Sequence, residues 1–238
     1  KVNNWGVELS LGFNDKFGPV SWNSTFTYTL NRNTIKELVP EGTIDPTTGE
    51  SMRRSSFIVS ANGSYRMELH EGQPMGDIYV STLRKDNNGY VHVDGESGAV
   101  TADPNNWIKA GNVNPKYTMG WSNTFSYKGF DLSFLIDARV GGVGVSATQA
   151  LMDRFGVSEN SALARDEGGV LVNGGRLNPE NYYAVVGGGT TGVLSEYIYS
   201  STNVRLREAS IGYTFPNKWF KGYIDQLSVS LIGRNLLM

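Results

Sequence analysis

Residues 142–147 read Gly-Val-Gly-Val-Ser-Ala, a G-x-G-x-x-A run after the apolar stretch Phe134 to Val140 and before residues able to start a helix. In a dinucleotide-binding unit such glycines let the backbone approach a pyrophosphate at a helix N-terminus. That chemistry requires a parallel βαβ unit, whose first strand is buried on both faces and reads as a continuous apolar run. Here Asp131, Ser133, Asp137 and Arg139 interleave with the apolar residues, so the strand has one wet face. Gly141, Gly142 and Gly144 are therefore read as loop glycines where a strand leaves its sheet, and no nucleotide cofactor is expected.

The other reactive side chains are few. His70 sits beside Glu71 in a short turn and His92 stands alone, with nothing pairing either to a nucleophile. Asp94, Glu96 and Asp103 form an acidic stretch, but aligning Gly98 and Val100 on a calcium loop puts Val93 at the first ligand position. A solvated turn is the reading there, and no metal is expected. Asp166 and Glu167 are expected to face water. Cysteine is absent, which removes disulfides and thiolate metal sites. The chain carries 21 Lys+Arg against 23 Asp+Glu, with no long run of either sign, so a basic nucleic-acid-binding face is not expected. No catalytic residue emerges, and the chain is not read as an enzyme. Trp107, Tyr182, Tyr183, Tyr197 and Tyr199 lie in or beside long connections, where their rings would stack on sugars, dock a lid protein, or pack the loops together.

The elements that position these residues show in the alternation. Tyr117, Met119, Trp121, Phe125 and Tyr127 fall on odd positions before Lys128-Gly129; Phe130, Leu132, Phe134, Ile136, Ala138 and Val140 fall on even positions after it. Period two marks strands with one apolar face, and Lys-Gly between them fits a two-residue hairpin opposing Tyr127 to Phe130 and Phe125 to Leu132. Asn123 on the apolar side and Leu135 on the polar side break the pattern. Arms of about 11 residues exceed the usual soluble strand and match the length that crosses a bilayer at a tilt. Leu132, Phe134 and Ile136 are then expected to face lipid, with Asp137 and Arg139 facing an aqueous lumen.

The same alternation appears from Val7 to Phe13 and from Trp22 to Leu30. Weaker strands are expected at Ser56 to Met67, Met75 to Arg84, Ile198 to Phe215 and Gln226 to Leu237, with a bulge near Glu208. Connections at Asn14 to Pro19, Glu68 to Pro74, Lys128-Gly129 and Pro216 to Asp225 are short. Those at Asn33 to Ser55, Lys85 to Pro115 and Gly141 to Tyr199 are long. Sorting of this kind is what outer-membrane barrels show. Aromatics (Phe17, Trp22, Tyr127, Phe130, Phe215, Trp219, Phe220) gather at the short-turn end as an interfacial girdle would. No apolar run approaches the roughly 18 residues of a transmembrane helix.

Several segments, in order, resemble the SusC/RagA family of TonB-dependent outer-membrane transporters. They are "NWGVELSLGFNDKFGPVSWNSTFTYTLNRNTIKEL", "EGQPMGDIYV", "GNVNPKYTMGWSNTFSYKGFDLSFLIDARVGG", "NVRLREASIGYTFP" and "SLIGRNLL". The resemblance covers nearly the whole chain. It implies an all-β fold: a transmembrane antiparallel β-barrel segment, roughly eight strands of a larger barrel of the 22-stranded type. Residues 1–238 would all be barrel, with the plug and N-terminal domains outside this chain, which begins without a methionine and is expected to be a piece of something longer. The resemblance further implies residence in the outer membrane of a Gram-negative bacterium, contact with membrane lipid, and a SusD-like surface lipoprotein as partner. Energy would come from the TonB complex, and the substrate would be a glycan or a peptide. The competing readings are a passive porin-like or adhesin-like barrel and a secreted all-β glycan-binding module.

Overall fold

Where the sequence alternates over ten residues or more, the chain forms long strands. The computed structural model describes residues 1–61, 64–188, 192–220 and 223–237. The chain opens with β1 (Val2–Phe17) and β2 (Val20–Ile35). Four strands follow: β3 (Ser56–Ala61), β4 (Tyr65–His70), β5 (Asp77–Leu83) and β6 (Ala102–Asn112). A hairpin of β7 (Tyr117–Tyr127) and β8 (Phe130–Val140) leads to β9 (Val143–Val145), α1 (Ala147–Arg154) and α2 (Glu159–Asp166). Then come β10 (Val170–Val172), β11 (Gly175–Leu177), α3 (Pro179–Val186) and β12 (Ile198–Ser200). The last strands are β13 (Asn203–Phe215) and β14 (Leu227–Leu237). Two units result: one of Asn4–Arg32, Pro115–Gly141 and Ser201–Met238, the other of Lys1–Asn3, Asn33–Asn114 and Gly142–Ser200.

The first of these units is a six-stranded sheet in the order β1-β2-β7-β8-β13-β14, antiparallel from β2 to β14. Directly opposed residues share a face, so register decides the chemistry of each side. One row runs Trp22, Phe125, Leu132, Ile211, Leu231 across five strands. The next runs Asn23, Thr124, Ser133, Ser210, Ile232 on the opposite face. Leu132 is 48%, Ile211 51% and Leu231 74% exposed, an apolar band that no described residue covers. A contiguous band of this kind requires an apolar medium or partner. The sheet is the antiparallel wall of a partial β-barrel.

The β7–β8 hairpin has the expected register. Lys128 (φ 48°) and Gly129 (φ 89°) both adopt positive φ, the geometry of a type I′ turn whose twist suits the flanking strands. A Cβ on residue 129 would meet the Thr214 carbonyl oxygen at 2.8 Å, so the turn requires glycine there. In β13 the register shifts between Leu206 and Glu208 against both neighbours. Arg207 is the extra residue against β8, and this bulge accounts for the slip in alternation. Thr29 opposes Thr118, Tyr117 opposes Val140, and Asn203 opposes Arg139, so the connections β2–β7 and β8–β13 leave one end of this sheet. The Lys128-Gly129 turn lies at the other end.

The second unit departs from the sequence reading. The stretches Ser56 to Met67 and Met75 to Arg84, expected as barrel strands, lie in a separate four-stranded sheet, β3-β4-β5-β6. The described residues thus place six strands, not roughly eight, in the barrel sheet. Strands β3, β4 and β5 have 6, 6 and 7 residues, too short to cross a bilayer. Strand β5 is also buried on both faces, as an interior strand of a packed domain is. Its Ile78, Val80 and Leu83 join Ala150 of α1, Tyr182 and Val186 of α3, and Val193, Leu194 and Tyr197 in one apolar core. The stretch Ile198 to Phe215, expected as one strand with a bulge near Glu208, divides into β12 and β13. Strand β6, expected as loop, carries two register shifts against β5 that disrupt its alternation.

Candidate functional site

Charge on the polar face of the six-stranded sheet gathers along β8, β13 and β14. Asp137, expected to face the lumen, accepts from Arg205 Nε at 3.0 Å and Nη2 at 2.6 Å, and Arg207 Nη1 lies 3.5 Å from its Oδ2. Arg139 shares this face one pair further along, opposite Thr118 and Asn203. Glu208 accepts from Arg234 Nε at 2.9 Å. Toward the Lys128-Gly129 end, Ser133 and Ser210 hydroxyls lie 2.6 Å apart and the Ser126 hydroxyl donates to Asp131. Arg205, Arg207 and Arg234 are not singled out by sequence, and Glu208 appears there only as the place of a bulge, because which charges meet across strands depends on register.

Leu132, Phe134 and Ile136 share the opposite face with Phe125, Asn123 and Trp121. Aromatic contacts join the strands there: Trp22 stacks on Phe125 at 5.7 Å, and Trp121 meets Phe134 edge-on at 5.9 Å. The same side carries Phe130 against Tyr213 at 4.5 Å and Phe215 against Trp219 at 5.8 Å. Asn123 finds its explanation here. Its Oδ1 accepts from Trp22 Nε1 at 3.0 Å, while Ser24 Oγ accepts from Trp121 Nε1 at 2.9 Å. The two buried polar residues satisfy two indole N–H groups within an apolar surface.

The loop aromatics separate into two groups. Tyr182 and Tyr197 are buried in the core of the second unit, which corrects their reading as contact residues. Burial pushes both phenols up from their ordinary value, with Glu196 adding to the shift of Tyr182 and Asp153 to that of Tyr197. Trp107 lies in β6 with the Arg66 guanidinium 4.2 Å over its ring, so that face is taken. Tyr183 packs edge-on to Tyr182 at 5.2 Å and lines a cavity of about 320 Å³ with Asp153, Arg165 and Glu180. Tyr199, on β12 opposite Gly144, is exposed.

The remaining candidates are held by local bonds. Gly142 (φ 86°) leads into β9, which pairs antiparallel with β12, and Ser146 then caps α1 by accepting from the Gln149 N–H. The G-x-G-x-x-A run therefore does join strand to helix, yet without the parallel unit a dinucleotide site needs. His70, at the end of β4, has its Nε2 2.7 Å from Glu68 Oε2. Asp94 Oδ1 accepts from the Ser97 N–H at 2.8 Å and its hydroxyl at 2.7 Å, and these bonds hold the carboxyl below the usual range. Among the described residues no group of three His, Cys, Asp or Glu side chains is placed to hold a metal.

No family model matches the chain. Its sequence is 27% identical over 255 residues to TonB-dependent receptor P3 of Formosa agariphila, matching all of this chain and 24% of that protein. Among solved structures, the RagAB peptide transporter matches 99% of the chain with a TM-score of 0.61 and 18% identity. The RagAB peptide importer in its open-open state matches with a TM-score of 0.67 and 19% identity, again over 99% of the chain. The chain spans about a quarter of the length of these relatives. It is similar in sequence to a TonB-dependent receptor and in fold to the RagAB transporter, in agreement with the SusC/RagA resemblance of its motifs.

Proposed function

We propose that this chain is part of the barrel wall of an active nutrient importer in the outer membrane of a Gram-negative bacterium. The importer is energised by the TonB complex and works with a SusD-like surface lipoprotein to take up glycans or peptides. The observation that carries the reading is the six-stranded sheet with one uncovered apolar face, one charged face, and its long connections at one end. Lipid meets the apolar face and solute passes the charged one. The chain supplies a conduit and contacts without chemistry of its own, and substrate class and coupling belong to the protein as a whole. The long connections face outward from the cell, and Tyr199 and Tyr183 serve as their contact rings.

The test uses the full-length protein in cells. A peptide tag after Gly174, in the exposed β10–β11 turn, should bind antibody on intact cells, and one beside Lys128 should bind only after permeabilisation. A surface lipoprotein should co-purify, and solute uptake should stop when TonB is deleted. Reversed tag labelling would invert the topology, and uptake indifferent to TonB would favour a passive pore.

A further inference from the structure

Strands β13 and β14 swell apart at one level of the polar face. Between the paired positions Leu206/Leu237 and Glu208/Arg234, β13 inserts Arg207 while β14 inserts Asn235 and Leu236. Asn235 takes φ 53° within a strand, a left-handed conformation that Asn adopts more readily than other residues with a side chain and that interrupts the regular pairing of β14. The swelling opens a cavity of about 380 Å³ lined by Leu135, Arg207, Glu208, Arg234 and Asn235.

Charge in this patch does not balance. Asp137 is engaged by both Arg205 hydrogen bonds, and Arg207 reaches it only at 3.5 Å. Arg234 uses Nε on Glu208 and leaves 72% of its side chain open. Three guanidiniums (Arg205, Arg207, Arg234) therefore face two carboxylates (Asp137, Glu208), and Arg207 and Arg234 flank the cavity from opposite strands. Guanidinium forks match a carboxylate in pairs. Leu135, the one apolar side chain on the polar face of β8, lines the same cavity and offers a surface for the body of a ligand.

We propose that this cavity binds the carboxylate of an organic anion, held between Arg207 and Arg234 with its carbon skeleton against Leu135. The site rests on the importer reading for its biological role, since it would then lie on the solute's path. Its chemistry does not depend on that role, and the test is made without transport.

Phenylglyoxal modifies free guanidiniums, and peptide mass spectrometry reads the rate at each arginine. The full-length protein in detergent is treated with butyrate or with chloride at equal ionic strength, and Arg53, in a loop of the second unit, serves as reference. Butyrate should slow modification of Arg207 and Arg234 by about threefold or more relative to chloride and leave Arg53 unchanged. In Arg234→Gln that protection of Arg207 should fall away, and Arg234→Lys should restore it only in part. Equal rates in both salts, or butyrate protection of Arg207 that persists undiminished in Arg234→Gln, would overturn the site. Protection with no TonB-dependent uptake would count against the importer reading alone.

Discussion

The Trp22 indole N–H donates to Asn123 Oδ1 at 3.0 Å across β2 and β7, on the apolar face of the barrel sheet. Asn123 is 2% exposed, and among the described residues nothing accepts from its Nδ2. Removing one partner strands the other; removing both strands nothing. Asn123→Leu alone should cost about 1–2 kcal/mol of unfolding free energy in lipid. Combined with Trp22→Phe the loss should largely disappear. Urea unfolding of the four forms gives the coupling, and additive losses would show that the bond contributes no stability.

Phe134 opposes Asn123 on the apolar face, and Ser133, one residue earlier, bonds Ser210 on the polar face. Phe134→Arg in the full-length protein should cost about 2–4 kcal/mol in lipid, the penalty for a cation at the lipid-facing middle of a barrel strand. Ser133→Arg should cost much less. Depth and residue type are nearly constant between the two, so orientation is what the comparison reads. Equal losses would place the wrong face against lipid.

Gly129 has φ 89° and Thr214 O 2.8 Å from where its Cβ would stand. Gly129→Ala should destabilise the barrel by about 1–3 kcal/mol through strained φ and displacement of β13. Lys128→Asn, also at positive φ, should be neutral or slightly stabilising because Asn tolerates that conformation. Thermal unfolding in detergent of the full-length variants checks both.

Asp94 tests the acidic loop by pH. The Ser97 N–H and hydroxyl hold its carboxyl below the ordinary 3.8. A depressed folded value means the carboxylate's contribution to the turn is complete above about 3.8 and is lost as pH falls through the folded value. Amide exchange of residues 94–98 should be slow at pH 6 and rise toward pH 3 beyond the intrinsic pH effect. In Asp94→Ala it should be fast at both, with neighbouring strands unchanged. Slow exchange in Asp94→Ala would show that the turn holds without its carboxylate.

Local alternation determined the long strands by itself. Tyr117 to Val140 announces a hairpin, its turn and its register, because side chains in a strand alternate sides strictly and Lys128-Gly129 suits a two-residue turn. The bulge near Glu208 was visible as a phase slip, though not that it would set Arg207 beside Asp137. Three things waited for the tertiary structure. Ser56 to Arg84 has strand composition, but only pairing partners decide which sheet a short strand joins, and Val80 is buried by helices from a distant part of the chain. Tyr182 and Tyr197 look like loop aromatics in sequence, and only the core around Val186 shows that they are packing residues. Asn123 violates the pattern of its own strand, and its reason lies 101 residues away in the Trp22 indole. Periodicity is written along one strand; a hydrogen bond between strands is written only when both have been placed.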